Sequence, residues 1–199
     1  MPGAPRLTLT FDDGPDEHWT LGVLDRLAEL DVRATFFMVG ERVLSQPKAA
    51  RAVALAGHDI QLHCHRHVRH TELSDHQLEM DTERALTALA GIGVRPRLWR
   101  APWGVCTTSS VLVADRFHLS LVGWAIDTHD WRGDPPQAML ERALALLPGG
   151  GMVLMHDALG PGAMREGAQN TIDLLEPLVA ASSERGVLVD RLGDRRAVA

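Results

Sequence analysis

Arg6-Leu7-Thr8-Leu9-Thr10-Phe11-Asp12-Asp13-Gly14-Pro15 carries the pattern on which this chain is built. Leu and Thr alternate up to Phe11, the period of a strand with one apolar face. The run then stops on two carboxylates and a Gly-Pro turn signal. Strand-like runs recur at Ala34 to Val39, His58 to His63, Arg97 to Arg100, Leu119 to Ile126, Met152 to His156 and Val187 to Asp190. Helical spacing fills the gaps: Thr20 to Leu30, Gly40 to Ala56 with a break near Pro47, Ser74 to Leu89, Ser109 to Phe117, Pro135 to Leu147 and Ala168 to Ser182. Ser74 and Gln77 have the spacing of a capping box. Pro135 and Gly149 bracket their helix as Pro and Gly commonly do.

Strands alternating with helices predict a parallel sheet with helices outside it. An open doubly wound sheet and a closed (β/α) barrel both fit. A full eight-fold barrel uses about 250 residues, and this chain has 199. A barrel would therefore be distorted and seven-stranded, with its active site at the C-terminal ends of the strands. No repeat, linker or low-complexity tract interrupts the pattern, so one domain over 1–199 is expected.

Composition narrows the class. Apolar residues at 45% and charged residues at 23% are globular values and exclude a disordered chain. A net charge of −6 argues against a nucleic-acid partner. Two cysteines, Cys64 and Cys106, are too few for a disulfide framework, and a single bridge stays open. No run approaches the roughly 18 apolar residues of a membrane segment. Met1 to Thr10 lacks a basic region followed by an apolar one, so a cytoplasmic protein is expected as written. A secreted chain trimmed of its leader would read the same.

The chemistry collects at strand ends. Asp12 and Asp13 follow the first strand, His63, His65 and His67 the third, Arg100 the fourth, Asp127 and Asp130 the fifth, and His156 the sixth. In a parallel α/β fold these ends share the face that carries active sites. Adjacent carboxylates repel unless a cation lies beside them, although Asp-Gly-Pro is also ordinary turn chemistry. His63 and His67, four apart, would share one side of a helical turn and could share a metal, or belong to a solvated His-rich loop. With Asp13 they form two imidazoles and a carboxylate, a catalytic zinc composition that leaves a position for water. His65, between them, would face away. Arg100 could pair with one of the two Asp. His156 facing Asp127 would be a charged general acid. Trp131 would wall a sugar or acyl site. Gly149-Gly150-Gly151 is a turn, without the spacing of a phosphate loop.

Together these segments resemble the polysaccharide deacetylase (NodB-homology) family, carbohydrate esterase family 4. Thr10-Phe11-Asp12-Asp13-Gly14-Pro15, His63-Cys64-His65-Arg66-His67, Arg100-Ala101-Pro102-Trp103-Gly104, Asp127-Thr128-His129-Asp130-Trp131 and Leu154-Met155-His156 match its five motifs in order. The resemblance implies a distorted (β/α) barrel and a hydrolase that removes an N-acetyl group from an amino sugar. The substrate would be an oligo- or polysaccharide or glycoconjugate containing N-acetylglucosamine. It implies a divalent metal, Zn2+ first and Co2+ or Ni2+ next, on Asp13, His63 and His67. Water on the metal would attack, with Asp12 as base, Arg100 orienting it, and His156 as acid with Asp127 as its partner. Trp103, through its amide, with Pro102 and Trp131, would bind substrate. Cys64 departs from the family's Ser or Thr and Trp103 from its Tyr, which puts the rigidity of the ligand loop and the width of the cleft in question. The alternative on the same scaffold is a deacylase of a small intracellular N-acyl or O-acetyl metabolite. A non-catalytic carbohydrate-binding relative would be expected to lack Asp12 or His156, and a two-carboxylate glycosidase would leave the His pair idle.

Overall fold

The computed structural model describes residues 5–192. The expected domain limits, 1–199, and the first residues of the segment read for a leader lie outside them.

The elements run β1 (Arg6–Asp12), α1 (Trp19–Glu29), β2 (Thr35–Val39), α2 (Gly40–Ser45), α3 (Pro47–Leu55), β3 (Asp59–Cys64), α4 (Asp75–Ala90), β4 (Leu98–Trp99), α5 (Thr108–Arg116), β5 (Ser120–Leu121), β6 (Ile126–Asp127), α6 (Pro136–Leu146), β7 (Gly151–His156), α7 (Gln169–Glu184) and β8 (Leu188–Val189). Every strand pair is parallel, in the order β5-β4-β3-β2-β1-β7-β6. β8 pairs with the start of β1, Leu188 beside Arg6 and Val189 beside Leu7. The curled sheet with helices around it is a distorted (β/α) barrel.

The local signals act as read. Ser74 Oγ accepts from Gln77 N at 3.3 Å and Gln77 Oε1 accepts from Ser74 N at 2.9 Å, so the capping box starts α4. Pro47 divides α2 from α3, occupying the first turn of α3, where a missing N–H costs least. Helix α1 buries Val23, Leu24 and Leu27, and α7 buries Leu174, Leu175 and Leu178, in one core with Leu7, Leu9 and Phe11 of β1. Burying each such side chain contributes about 1.5–3 kcal/mol.

Two expectations change. The alternation in β1 does not separate core from solvent: Thr8, Thr10 and Asp12 are as buried as the leucines. The apolar residues join the core cluster, while Thr10 and Asp12 bind Arg100. Second, the single strand expected over Leu119 to Ile126 is two strands, β5 and β6, at opposite ends of the sheet order. Val122 to Ala125 carries the chain across the seam. Val122 N donates to Trp99 O (3.0 Å) on one edge and Ala125 N to Met152 O (2.9 Å) on the other. A covalent span closes the barrel there, and this is its distortion. Among the described residues no helix is long and apolar enough to cross a membrane.

Candidate active site

Asp13 leaves β1 with φ 75°, a left-handed conformation that Asp tolerates better than most residues. That turn brings its Oδ1 to 3.4 Å from His63 Nε2 and 3.1 Å from His67 Nε2. His63 lies on β3 and His67 in the loop beyond it, so the pair converges from a strand end and a loop, and not from the helical turn expected. His63 Nδ1 is 2.7 Å from Arg100 O. A carbonyl only accepts, so Nδ1 carries the proton and a neutral ring turns its Nε2 lone pair toward Asp13.

Asp13 Oδ1 is buried without a well-aligned hydrogen bond. The three candidate ligand atoms lie within 4.8 Å of one another. Converging lone pairs around an unsatisfied carboxylate oxygen fit a divalent cation, and the donor set is that of a catalytic zinc site. Protons compete for the same place. Burial disfavours charge on His63, but Asp12 and Asp13 outweigh it and raise its pKa. Burial also opposes charge on Asp13, yet bonding to His63 and His67 holds its carboxyl well below the usual range. The loop after β7 presses on this group, and a Cβ at Gly160 would run into Asp13 Oδ2.

His65 stands outside the cluster, with its ring against Gly40. Both cysteines are free. Cys64 is buried, its pKa pushed well up by burial and then by neighbouring carboxylates, and it is not one of the grouped ligands.

Arg100 pairs with Asp12 and is fully buried. Its Nη1 donates to Asp12 Oδ1 (2.8 Å) and Thr10 Oγ1 (2.7 Å), its Nη2 to Gly123 O (2.9 Å), and its guanidinium lies 4.1 Å from the centre of the Phe37 ring. One side chain thus orients Asp12 and fastens the seam of the barrel.

His156 has a different partner from the one expected. Its Nδ1 is 2.7 Å from Asp130 Oδ1, and its backbone N donates to Asp130 Oδ2 at 2.8 Å. Asp127 instead caps its own turn, accepting from His129 N at 2.8 Å. The reason is local: His129 adopts φ 58°, and this left-handed turn sends Asp130 inward while Asp127 stays on the cleft wall. Asp130 also accepts from Arg165 (3.0 Å) and Thr171 (2.8 Å). Burial works against its charge, but His156 and Arg165 overcome this and lower its pKa. For His156, burial pulls downward, while Asp130, Asp13 and Asp12 lift the pKa to about 9. Arg165 and Thr171 escaped the sequence reading because neither stands at a strand end.

Asp12, Asp13, His63, His67, Asp127 and His156 line one cleft of about 420 Å³, with Arg100 and Asp130 behind its wall. Trp103 and Trp131 stand in its walls, joined by Trp124, which the motifs did not single out. Trp103 sits edge-on to His67, ring centres 4.2 Å apart, and Arg69 lies 4.2 Å from the Trp103 ring centre. Pro102, expected to touch substrate, is buried at the start of a 3-10 turn and does not line the cleft. Its rigid ring shapes the turn that presents Trp103.

A profile of the polysaccharide deacetylase family matches residues 2–122. The chain belongs to the polysaccharide deacetylase family. It is thereby a deacetylase enzyme of the carbohydrate esterase type, and that family is generally metal-dependent. A chitooligosaccharide deacetylase of Bradyrhizobium sp. (strain ANU 289) is 32% identical over 92% of this chain and 87% of its own. A peptidoglycan-N-acetylglucosamine deacetylase of Bacillus cereus is 30% identical over 91% of this chain and 66% of its own. The solved family 4 carbohydrate esterase from Streptomyces lividans, in complex with acetate, superposes with a TM-score of 0.84 at 28% identity, covering 94% of this chain and 93% of that one.

Proposed function

We propose that this deacetylase removes the N-acetyl group from N-acetylglucosamine units of an oligo- or polysaccharide, acting as a single domain with one divalent ion, Zn2+ by preference, on Asp13, His63 and His67. The observation that carries the reading is the meeting of that triad with Asp12 and His156 in one cleft, each held from behind, Asp12 by Arg100 and His156 by Asp130. The two relatives, named for chitooligosaccharide and for peptidoglycan N-acetylglucosamine, support the substrate class.

A divalent ion bound there supplies a Lewis acid and acidifies water. The chain's own residues do the rest. Arg100, bonded to Asp12 Oδ1, turns that carboxylate to take a proton from the attacking water. The Trp103 amide is assigned to the oxyanion. An amine leaves an amide only when protonated, and His156, with a pKa near 9, holds that proton at neutral pH. Asp130 fixes the His156 proton on Nδ1 and favours the charged ring, which leaves Nε2 for the substrate. Trp131 and Trp103 offer faces to sugar rings.

The test is acetate release from N-acetylglucosamine oligomers and from small N-acetylated metabolites by the metal-loaded protein. Release from the oligomers is expected. Release from the small compounds alone would move the assignment to a metabolite deacylase, and release from neither would end it.

A further inference from the structure

We propose that Asp81, on α4 and outside the cleft, is the positioning residue for the loop that carries the metal ligands. The inference rests on the assignment of Asp13, His63 and His67 to the ion.

The two imidazoles are held in unequal ways. His63 lies within β3, its carbonyl accepting from Trp99 Nε1 at 2.8 Å. His67 lies three residues beyond the end of β3, in a stretch without a strand ladder. A loop places an imidazole only as accurately as its backbone is held. Between the two ligands, both free-standing amides turn to one side chain. His65 N donates to Asp81 Oδ2 at 2.8 Å, and Arg66 N donates to Asp81 Oδ1 at 3.0 Å. Both carboxylate oxygens are thus spent on the loop, in charge-assisted bonds of the stronger kind. From the opposite side, Glu41 N at the start of α2 donates to His65 O at 3.2 Å. The residue between the ligands is clamped between two helices.

Asp81 itself is buried, on a helix whose start is capped by Ser74 and Gln77. Cys64, next to His63, supplies no comparable acceptor: its side chain is a buried thiol, a weak hydrogen-bonding group. The rigidity that a thiol cannot give the loop comes from α4. Groups that orient metal ligands from behind commonly change metal affinity about 10–100-fold when removed.

The experiment titrates Zn2+ into metal-free wild type, Asp81→Ala, Asp81→Asn and Glu79→Gln, and follows amide hydrogen exchange at His65 and Arg66. Glu79 is on the same helix and pairs with Arg116, away from the loop. Wild type binds one equivalent. Asp81→Ala weakens binding about 10–100-fold and speeds exchange at both amides. Asp81→Asn, which keeps one accepting oxygen, falls between them, and Glu79→Gln matches wild type. Should Asp81→Ala fail to fold, the isosteric Asn variant decides. Unchanged affinity in Asp81→Asn together with any folded Ala variant overturns the proposal. So does weakened affinity with unchanged exchange, which would make Asp81 a distant charge only. Wild type that takes up no zinc would instead overturn the metal assignment beneath it.

Discussion

His156 Nδ1 lies 2.7 Å from Oδ1 of Asp130, a carboxylate with no exposed surface. That pair, and not His156 with Asp127, sets the charge of the proposed acid. Asp130→Asn should lower the His156 pKa and bring the alkaline limb of the pH–rate curve down with it. Amide hydrolysis should fall about 100-fold or more, the range of a lost general acid. Activated esters, whose leaving group needs no proton, should lose less. Asp127→Asn should leave the alkaline limb in place. The check is kcat/KM against pH for both variants, and a shift in Asp127→Asn matching that in Asp130→Asn would contradict the pairing.

The same pair links stability to pH. The folded-state pKa of His156, about 9, lies above its ordinary value of 6.5. A raised histidine stabilises fully below 6.5, and the contribution is lost as pH rises through 9. For the metal-free protein the loss is on the order of 3 kcal/mol. Denaturant melts across that interval should show it, and Asp130→Asn should flatten the dependence.

Gly160 backs the Asp13–His63–His67 group closely enough that a Cβ would run into Asp13 Oδ2. Gly160→Ala should therefore displace Asp13 and weaken zinc binding. Calorimetric titration checks it, with Gly162→Ala as a cleft-lining comparison that has open space at the Cβ position but strained backbone.

Cys64 is buried beside the candidate ligands and is not grouped with them. Cys64→Ser should retain one equivalent of zinc. The hydroxyl, if it finds no partner, costs about 1–3 kcal/mol of stability. Metal analysis and a melt separate the two effects, and loss of metal from a folded variant would make Cys64 a ligand.

Much of this site could be read in advance because a parallel fold gathers its strand ends on one face. Asp12, Asp13, His63, Arg100 and His156 each stand at such an end, and one cleft or its immediate wall holds them all. What could not be read depends on single backbone angles or distant contacts. Asp127 is the partner expected for His156, and only the left-handed turn at His129 puts Asp130 there instead. Leu119 to Ile126 reads as one strand because its apolar residues are continuous, yet closing the seam pulls its two ends to opposite edges. The Leu–Thr alternation of β1 leaves the surroundings of its threonines open, because period alone does not distinguish water from a polar barrel interior. Arg165 meets Asp130 across 35 positions and Asp81 meets His65 across 16, separations at which one sequence carries no pairing signal.

In the proposed mechanism one ion sits on Asp13, His63 and His67 while Asp12 takes the proton. Zinc titrated into metal-free wild type and Asp12→Asn, with bound metal and acetate from N-acetylglucosamine oligomers measured together, tests it most directly. Wild-type acetate release should climb with zinc and level off at one equivalent, while Asp12→Asn binds the same equivalent and releases little acetate. Full release from metal-free wild type, or undiminished release from Asp12→Asn, would rule this mechanism out.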